Sequence, residues 1–265
     1  MRSGMNNSEL EQVSQQPQQP QPDVPIVGSI QAGPAVKIGL LVPTNINIDV
    51  RFCFSFQQIL SQLPPGSTYM ADYRYGLAET REALVTQAIK TIPDLTHILF
   101  VDTDVIPLVP NGIQLLLQDN KPIVSGIYFS SLMTGAAAWR KTIQKDQNGN
   151  DVEVETPIPV DGQTQFLQEV DKTGFGFTLI QKQVFDILAE KNEPRPWFYY
   201  LVDSGELRMQ SEDFYFLDKC KKHGIRPWVD LRVQCGHIKS VVINPNGSVQ
   251  TPPHNQQQPT GQGQK

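Results

Sequence analysis

The stretch that decides the fold reads His97-Ile98-Leu99-Phe100-Val101-Asp102-Thr103-Asp104-Val105. Its four apolar residues, Ile98 to Val101, predict a strand that is buried on both faces, as in a parallel sheet covered by helices. The run ends in Asp102 and Asp104, whose i, i+2 spacing in an extended chain places both side chains on the same side, roughly 6.5–7 Å apart. Ligands of open α/β sheets bind at the carboxyl ends of the strands, so both acids are expected at a binding edge.

Two carboxylates at such a strand end repel each other unless a cation lies between them. The simplest chemistry for Asp102 and Asp104 is therefore a divalent metal that in turn holds a phosphate-bearing ligand. Aspartate is also common in turns, so an Asp-rich turn without any ligand is the structural alternative. An Asp-x-Asp by itself does not distinguish a metal site from a turn.

The segments around this strand alternate between strands and helices. Upstream, the pattern predicts strands over 36–42 and 67–74 and helices over 51–63 and 77–92; downstream, it predicts a helix over 110–118 and a strand over 123–128. This βαβαβ order predicts an α/β fold with a doubly wound, mostly parallel sheet flanked by helices. Turn signals at Asn148-Gly149-Asn150 and Asp161-Gly162 predict a smaller antiparallel portion in the second half. The remaining predicted elements are a strand to Ile180, helices over 182–191 and 211–223, and a last strand over 228–235.

The two ends of the chain differ from its middle in composition. Residues 1–34 contain seven Gln and five Pro, and residues 248–265 contain six Gln and three Pro. Segments of this kind bury too little apolar surface to offset the entropy of ordering, so both are expected to be disordered tails. A single domain is predicted over 35–247, a length that supports a good core.

Charge and cysteine content indicate which partners and which compartment to expect for the protein. The net charge is −5 and basic residues do not cluster, which argues against nucleic acid as a main partner. Three cysteines without repeated spacing predict reduced thiols rather than a disulfide framework. With no stretch near 18 apolar residues, a cytoplasmic protein without a membrane span is expected.

Arg81 is placed unusually within its predicted helix. The apolar residues of this helix form one stripe, and Arg81 lies on it, four residues after Leu77 and three before Leu84. A charge on the buried side of a helix needs an anionic partner. That partner is either a phosphate or nucleobase of a ligand or a carboxylate of the protein, and both alternatives are open.

Two more features carry candidate chemistry. Ser211-Glu212-Asp213-Phe214 opens a helix, where Ser suits the N-cap and two acids suit the helix dipole, although acids there can also point into a cleft. In the last strand, the apolar parity of Val233 and Cys235 continues to His237, which is therefore expected to point inward. As an imidazole at a strand end, His237 could complete a site formed by the two carboxylates.

Four motifs, in their order along the chain, resemble those of glycosyltransferases of the GT-A fold, particularly the family-2-like nucleotide-sugar enzymes. They are Asp102-Thr103-Asp104, Gly174-Phe175-Gly176-Phe177, Ser211-Glu212-Asp213-Phe214 and Cys235-Gly236-His237. The resemblance covers about 36–240. It implies transfer of a sugar from a nucleotide-diphosphate donor to a hydroxyl acceptor on a glycan, protein or lipid, with Mn2+ or Mg2+ bridging the donor diphosphate.

The resemblance also implies roles for individual residues. Asp104 and His237 would be metal ligands, and Asp102 would bind the ribose or the metal. Donor contacts would come from six further positions: Pro43, Thr44, Arg81, Thr103, Gly174 and Gly176. Glu212 and Asp213 would be the acidic pair near the acceptor, where inverting members place their base. The chain departs from the family at the common Arg-Asn pair, which reads Arg81-Glu82 here.

Two other functional classes are compatible with the motifs. One is a haloacid-dehalogenase-type phosphatase or phosphotransferase, whose signature also joins four apolar residues to an Asp-x-Asp with the first Asp as nucleophile. That signature normally lies on the first strand, whereas two predicted strands precede it here. The other is a non-catalytic nucleotide-sugar or carbohydrate binder on the same fold. The Gly174–Gly176 pair lacks the third glycine of a dinucleotide fingerprint and is expected to be a tight loop beside the acceptor.

Overall fold

The strand that precedes Asp102 lies near the middle of an eight-stranded sheet. The computed structural model describes residues 35–44, 47–74, 76–131, 135–161, 165–203, 208–239, 242–243 and 249–250, and those from Val36 onward belong to one compact unit. Nearly all of the two predicted tails lies outside these residues.

The first half of the chain alternates as predicted. Its elements are β1 (Ile38–Pro43), α1 (Val50–Gln62), β2 (Thr68–Asp72), α2 (Leu77–Thr91), β3 (His97–Val101), β4 (Val105–Pro107), α3 (Gly112–Asp119) and β5 (Ile123–Ile127). Local chemistry sets their ends: the Asp49 carboxylate accepts a bond from the Arg51 N–H at the start of α1, and Asn120 adopts the left-handed conformation after α3.

The second half contains mainly short strands and two helices. Its elements are β6 (Phe129–Ser131), β7 (Gly135–Ala136), β8 (Ala138–Lys145), β9 (Asp151–Pro157), β10 (Leu167–Glu169), β11 (Lys172–Thr173), β12 (Phe177–Gln181), α4 (Lys182–Glu190), β13 (Leu201–Asp203), β14 (Arg208–Gln210), α5 (Glu212–Lys222), β15 (Pro227–His237), β16 (Val242–Ile243) and β17 (Val249–Gln250). Strands β8 and β9 form the predicted hairpin, and β11 adds to β8 in a small antiparallel sheet.

The central sheet has the order β10-β15-β5-β12-β3-β1-β2, with β4 paired to the end of β15. Strands β2, β1 and β3 are parallel to one another, as are β5 and β15, while β12 and β10 run the other way. The fold class is therefore the predicted one, a mostly parallel sheet with a smaller antiparallel portion. The place of β12, antiparallel between β3 and β5, does not follow from the local pattern.

Two apolar cores cover the faces of the sheet, and both draw on β3. Leu99 and Val101 pack with α1 and α3, whereas Ile98 and Phe100 pack with α2, α4 and α5. Burial on both faces explains why this strand is a continuous apolar run. Among the described residues, no helix is long and apolar enough to cross a membrane.

The last strand is longer than predicted. The pattern predicts its end at Cys235, but β15 continues through Gly236 to His237 because it pairs there with β4. In the same strand the polar residue Asp230 is fully buried, next to a register shift between Asp230 and Gln234. Both features arise from pairings with distant strands.

Candidate functional site

The predicted site residues meet at one edge of the central sheet. Strand β1 ends at Pro43, β3 at Val101 immediately before the Asp-x-Asp, and β15 at His237. Because β12 runs in the opposite direction, the loop before it, which contains Gly174 and Gly176, lies at the same edge. This is the edge at which open α/β sheets bind ligands.

Asp104 and His237 form the pair that was expected at this edge. The Nε2 atom of His237 lies 3.0 Å from Oδ2 of Asp104, and the Ile238 N–H donates to the Asp104 carbonyl at 2.7 Å. Pairing of β4 with β15 sets Val105 opposite His237 and so fixes their approach. Burial would raise the pKa of Asp104, but the hydrogen bond from His237 and the nearby Lys239 ammonium outweigh it, and the pKa is lowered.

The chemistry of this pair fits a divalent cation. Nδ1 of His237 lies 2.8 Å from the carbonyl oxygen of Phe129, so Nδ1 carries a proton and donates it. The carbonyl thereby fixes the ring so that Nε2 faces Asp104, as hydrogen-bonded carbonyls orient metal-binding histidines. Two protein ligands suffice where a bound phosphate and water supply the others.

Asp102 does not join that pair. Both of its carboxylate oxygens accept hydrogen bonds from Nη2 of Arg81, at 2.7 and 2.9 Å. Among the described residues, no three His, Cys, Asp or Glu side chains form a group that could hold a metal ion. The structure therefore places the predicted three-residue set of Asp102, Asp104 and His237 in two separate interactions.

Arg81 joins the two acidic motifs, which lie 110 residues apart in the sequence. Its Nη2 binds Asp102, and its Nη1 donates to Oε1 of Glu212. The Arg81 side chain is only 1% exposed, and that of Glu212 only 4%. Of the two alternatives left open for Arg81, the structure shows the protein one: its partners are carboxylates, because its place on the apolar stripe of α2 points it into the interior.

The surroundings of Arg81 hold its charge in place. Its guanidinium carbon lies 5.5 Å from the centroid of the Phe100 ring and 5.7 Å from that of Phe175, within cation–π range. Burial alone would lower the pKa of Arg81, but the charges of Asp102 and Glu212 outweigh that effect and raise it. Its buried Nε atom has no hydrogen-bond partner in the part of the chain that the structure describes. The guanidinium is therefore a fixed positive charge beneath the site.

Asp213 occupies a different environment from its neighbour Glu212. Burial, followed by the charge of Glu212, raises the pKa of Asp213 to about 6, although Arg81 and two hydrogen bonds oppose the shift. Those bonds come from the Ser211 hydroxyl and, at 2.8 Å, from the Phe214 N–H. Ser211 is the N-cap residue as predicted, but its hydroxyl binds the Asp213 side chain and makes no cap hydrogen bond to the backbone.

Tyr128 is a residue of this edge that the sequence reasoning missed. Its ring meets the His237 ring edge-on at 5.2 Å between centroids, and its hydroxyl accepts a bond from the Gly176 N–H at 3.3 Å. Burial, with the charges of Asp102 and Asp213, raises its pKa well above the usual value, so it is a neutral phenol. Its position directly after the apolar strand β5 was the available signal.

The two glycines before β12 are required by the close approach of Tyr128 and Val105. A Cβ atom at Gly174 would overlap the Tyr128 hydroxyl, and one at Gly176 would overlap Val105. The carbonyl of Gly176 also accepts a bond from the Asp102 N–H at 3.0 Å. Both glycines therefore allow this loop to approach the Asp-x-Asp, and the predicted tight loop is present.

The remaining predicted donor positions lie around the same edge. Pro43 is buried at the end of β1, and the partly exposed Thr44 donates from its N–H and its hydroxyl to the Asp72 carbonyl. Thr103 is only 6% exposed. Glu82, where the family has Asn, accepts bonds from the Trp197 and Phe198 N–H groups and so fixes a nearby loop.

No protein-family model matches the chain, and no curated protein matches it in sequence. Among solved structures, the crystal structure of A197 from STIV aligns with a TM-score of 0.52 and 16% identity, over 83% of this chain and 95% of that chain. GalNAc-T7 with UDP, GalNAc and Mn2+ aligns with a TM-score of 0.47 and 11% identity, over 77% of this chain and 43% of that chain, so this chain spans less than half of it. The catalytic domain of Drosophila beta1,4galactosyltransferase 7 in complex with xylobiose aligns with a TM-score of 0.42 and 14% identity, over 77% and 71%. At these identities a likeness shows the fold alone, and the alignment with A197 shows that the two proteins share a fold over most of both chains.

Proposed function

We propose that this protein is a glycosyltransferase that moves a sugar from a nucleotide-diphosphate donor to a hydroxyl acceptor and uses Mn2+ or Mg2+. The observation that carries the proposal is the convergence at one sheet edge of the Asp104–His237 pair and the Arg81-linked acids Asp102 and Glu212. Motifs far apart in the sequence thus form one polar centre where the fold binds ligands.

In this proposal Asp104 and His237 hold the cation. A bound divalent cation would stabilise the negative charge that develops on the leaving diphosphate. The neighbouring Lys239, whose Nζ lies 3.4 Å from Oδ2 of Asp104, adds a second positive charge beside that position. Asp102, fixed by Arg81 and still 23% exposed, is left to accept hydrogen bonds from the donor ribose.

Asp213 is the proposed base for the acceptor hydroxyl. With a pKa near 6 it is ionised at neutral pH yet basic enough to accept a proton. Glu212 is paired with Arg81 and so is not free to take that proton; its charge raises the pKa of Asp213, and its ion pair holds the start of α5 in place. The proposal for Asp213 applies to an inverting reaction, in which a carboxylate must remove that proton.

The experiment that tests the proposal compares nucleotide-diphosphate binding with and without Mn2+, measured by calorimetry. Asp104→Ala is expected to abolish the Mn2+-dependent part of the binding of UDP and GDP while leaving the thermal unfolding temperature within a few degrees. Asp94→Ala serves as the matched control, because Asp94 is 86% exposed and pairs with Lys37 near the opposite end of β3. Unchanged Mn2+-dependent binding in Asp104→Ala would contradict the metal site.

We also place this activity in the cytoplasm. All three cysteines of the chain are free thiols. Burial raises the pKa of the Cys220 thiol above its usual range and that of Cys235 to about 12, so neither is a ready thiolate. Unpaired cysteines are typical of proteins that work in a reducing compartment.

A further inference from the structure

A second polar cavity lies at the opposite end of strand β15 from the candidate site. It has a volume of about 660 Å3, and its walls include Arg140, Gln168, Glu169, Asp171, Arg226 and Trp228. Trp228 and His237 are nine residues apart on the same strand, a separation of up to about 30 Å. The cavity is therefore separate from the edge that carries Asp104 and His237.

The charges in the cavity walls balance. Arg226 lies 3.3 Å from Asp171 and 4.0 Å from Glu169, and Arg140 donates to the Glu169 carbonyl at 3.0 Å. Two guanidinium groups thus face two carboxylates, and no surplus of either sign remains to attract an ion. This balance favours a neutral ligand that can both donate and accept hydrogen bonds.

Gln168 supplies an unused donor in this wall. It is 7% exposed, and its Oε1 accepts a bond from Nη2 of Arg140 at 3.1 Å, which fixes the orientation of the amide. The other end of the amide, Nε2, is buried and has no partner among the described residues. Buried donors are nearly always paired, so one kept unpaired beside a cavity points to an acceptor that arrives with a ligand.

Trp228 supplies a flat apolar surface beside these polar groups. The ammonium of Lys121 lies 3.9 Å from its ring centroid but is not part of the cavity wall, so it fixes the ring while other ring atoms face the cavity. A fixed aromatic ring with hydrogen-bond donors and acceptors around it matches the apolar face and the hydroxyl rim of a sugar ring. We propose that this cavity is a binding site for a neutral saccharide, distinct from the donor and acceptor site.

The proposal is tested by saturation-transfer NMR on the full chain with lactose, maltose and cellobiose, alongside glucuronate as a charged probe. At least one neutral disaccharide is expected to bind. Gln168→Leu and Trp228→Leu should each weaken that binding about tenfold or more, the loss that corresponds to one hydrogen bond or one stacking contact. Gln168→Leu should also keep or raise the unfolding temperature, because it removes a buried unpaired amide.

Two controls separate this site from its surroundings. Phe166→Leu removes an aromatic ring that is 50% exposed and lies outside the cavity wall, and it should leave binding unchanged. Asp104→Ala should also leave it unchanged. The proposal is overturned if no neutral disaccharide binds, if only glucuronate binds, or if binding is lost in Asp104→Ala but kept in Gln168→Leu.

Discussion

Replacing Arg81 with Gln would test the buried charge network that joins the two acidic motifs. The change leaves the Glu212 carboxylate, whose side chain is 4% exposed, without its counter-charge. Removing one partner of a buried ion pair costs about 3–5 kcal/mol. Asp102 is 23% exposed, so water partly compensates there, and we expect a loss of about 3 kcal/mol in the free energy of unfolding.

The assay is urea unfolding at neutral pH followed by tryptophan fluorescence. Arg74→Gln is the matched control, because Arg74 also pairs with an aspartate, Asp72 at 2.9 Å, but its side chain is 53% exposed. That control should change stability by only about 0–1 kcal/mol. The reasoning is refuted if Arg81→Gln costs no more than Arg74→Gln, because the guanidinium would then contribute no more than a surface charge.

Two further predictions follow from raised carboxyl pKa values. If Asp213 is the base, the rate of sugar transfer should rise with pH through about 6, where its carboxyl ionises. Asp213→Asn should lower that rate about 100-fold or more, while donor binding measured by calorimetry persists. Near-normal turnover in this variant would show that Asp213 serves only as an acid in the first turn of α5. The Asp119 side chain is buried, and burial and the adjacent Asp230 raise its pKa to about 6, above the ordinary 3.8. The folded protein therefore favours the protonated carboxyl, and the free energy of unfolding falls as pH rises from about 4 through 6. Asp119→Asn should therefore be more stable than the natural protein at pH 8, by up to about 3 kcal/mol, and equal to it near pH 3 in urea titrations; a loss of stability at pH 8 would disprove the assigned cause.

The parts of the fold that the sequence predicted well are those with local causes. The continuous apolar run of β3 follows from burial on both faces, and its end at two acids follows from the sheet edge. The inward direction of His237 followed from strand parity alone, and the structure brings its ring to Asp104. In each case the pattern is carried by residues adjacent along the chain.

The parts that the sequence could not predict depend on distant pairings. Nothing within β12 indicates that it inserts antiparallel between β3 and β5, where the Thr178 hydroxyl lies 2.7 Å from that of Ser125. The burial of Asp230 likewise depends on Arg232, which also binds Asp119 from α3 at 2.8 Å. Such partners are set by strand order, which periodicity does not encode.

Arg81 illustrates how the two kinds of information combine at the site. Its position on the apolar stripe of α2 predicted burial and the need for an anion, but it could not say whether that anion belonged to a ligand or to the protein. The structure supplies two protein carboxylates, Asp102 and Glu212, which leaves the guanidinium no exposed surface for a phosphate. Since Asp102 is paired with Arg81, a cation in the proposed reaction would be held by the other acid of the motif, Asp104, whose partners are His237 and Lys239. The two aspartates of one short motif thus have different partners: Asp102 is tied to the core through Arg81, and in the proposed function Asp104 would hold the cation.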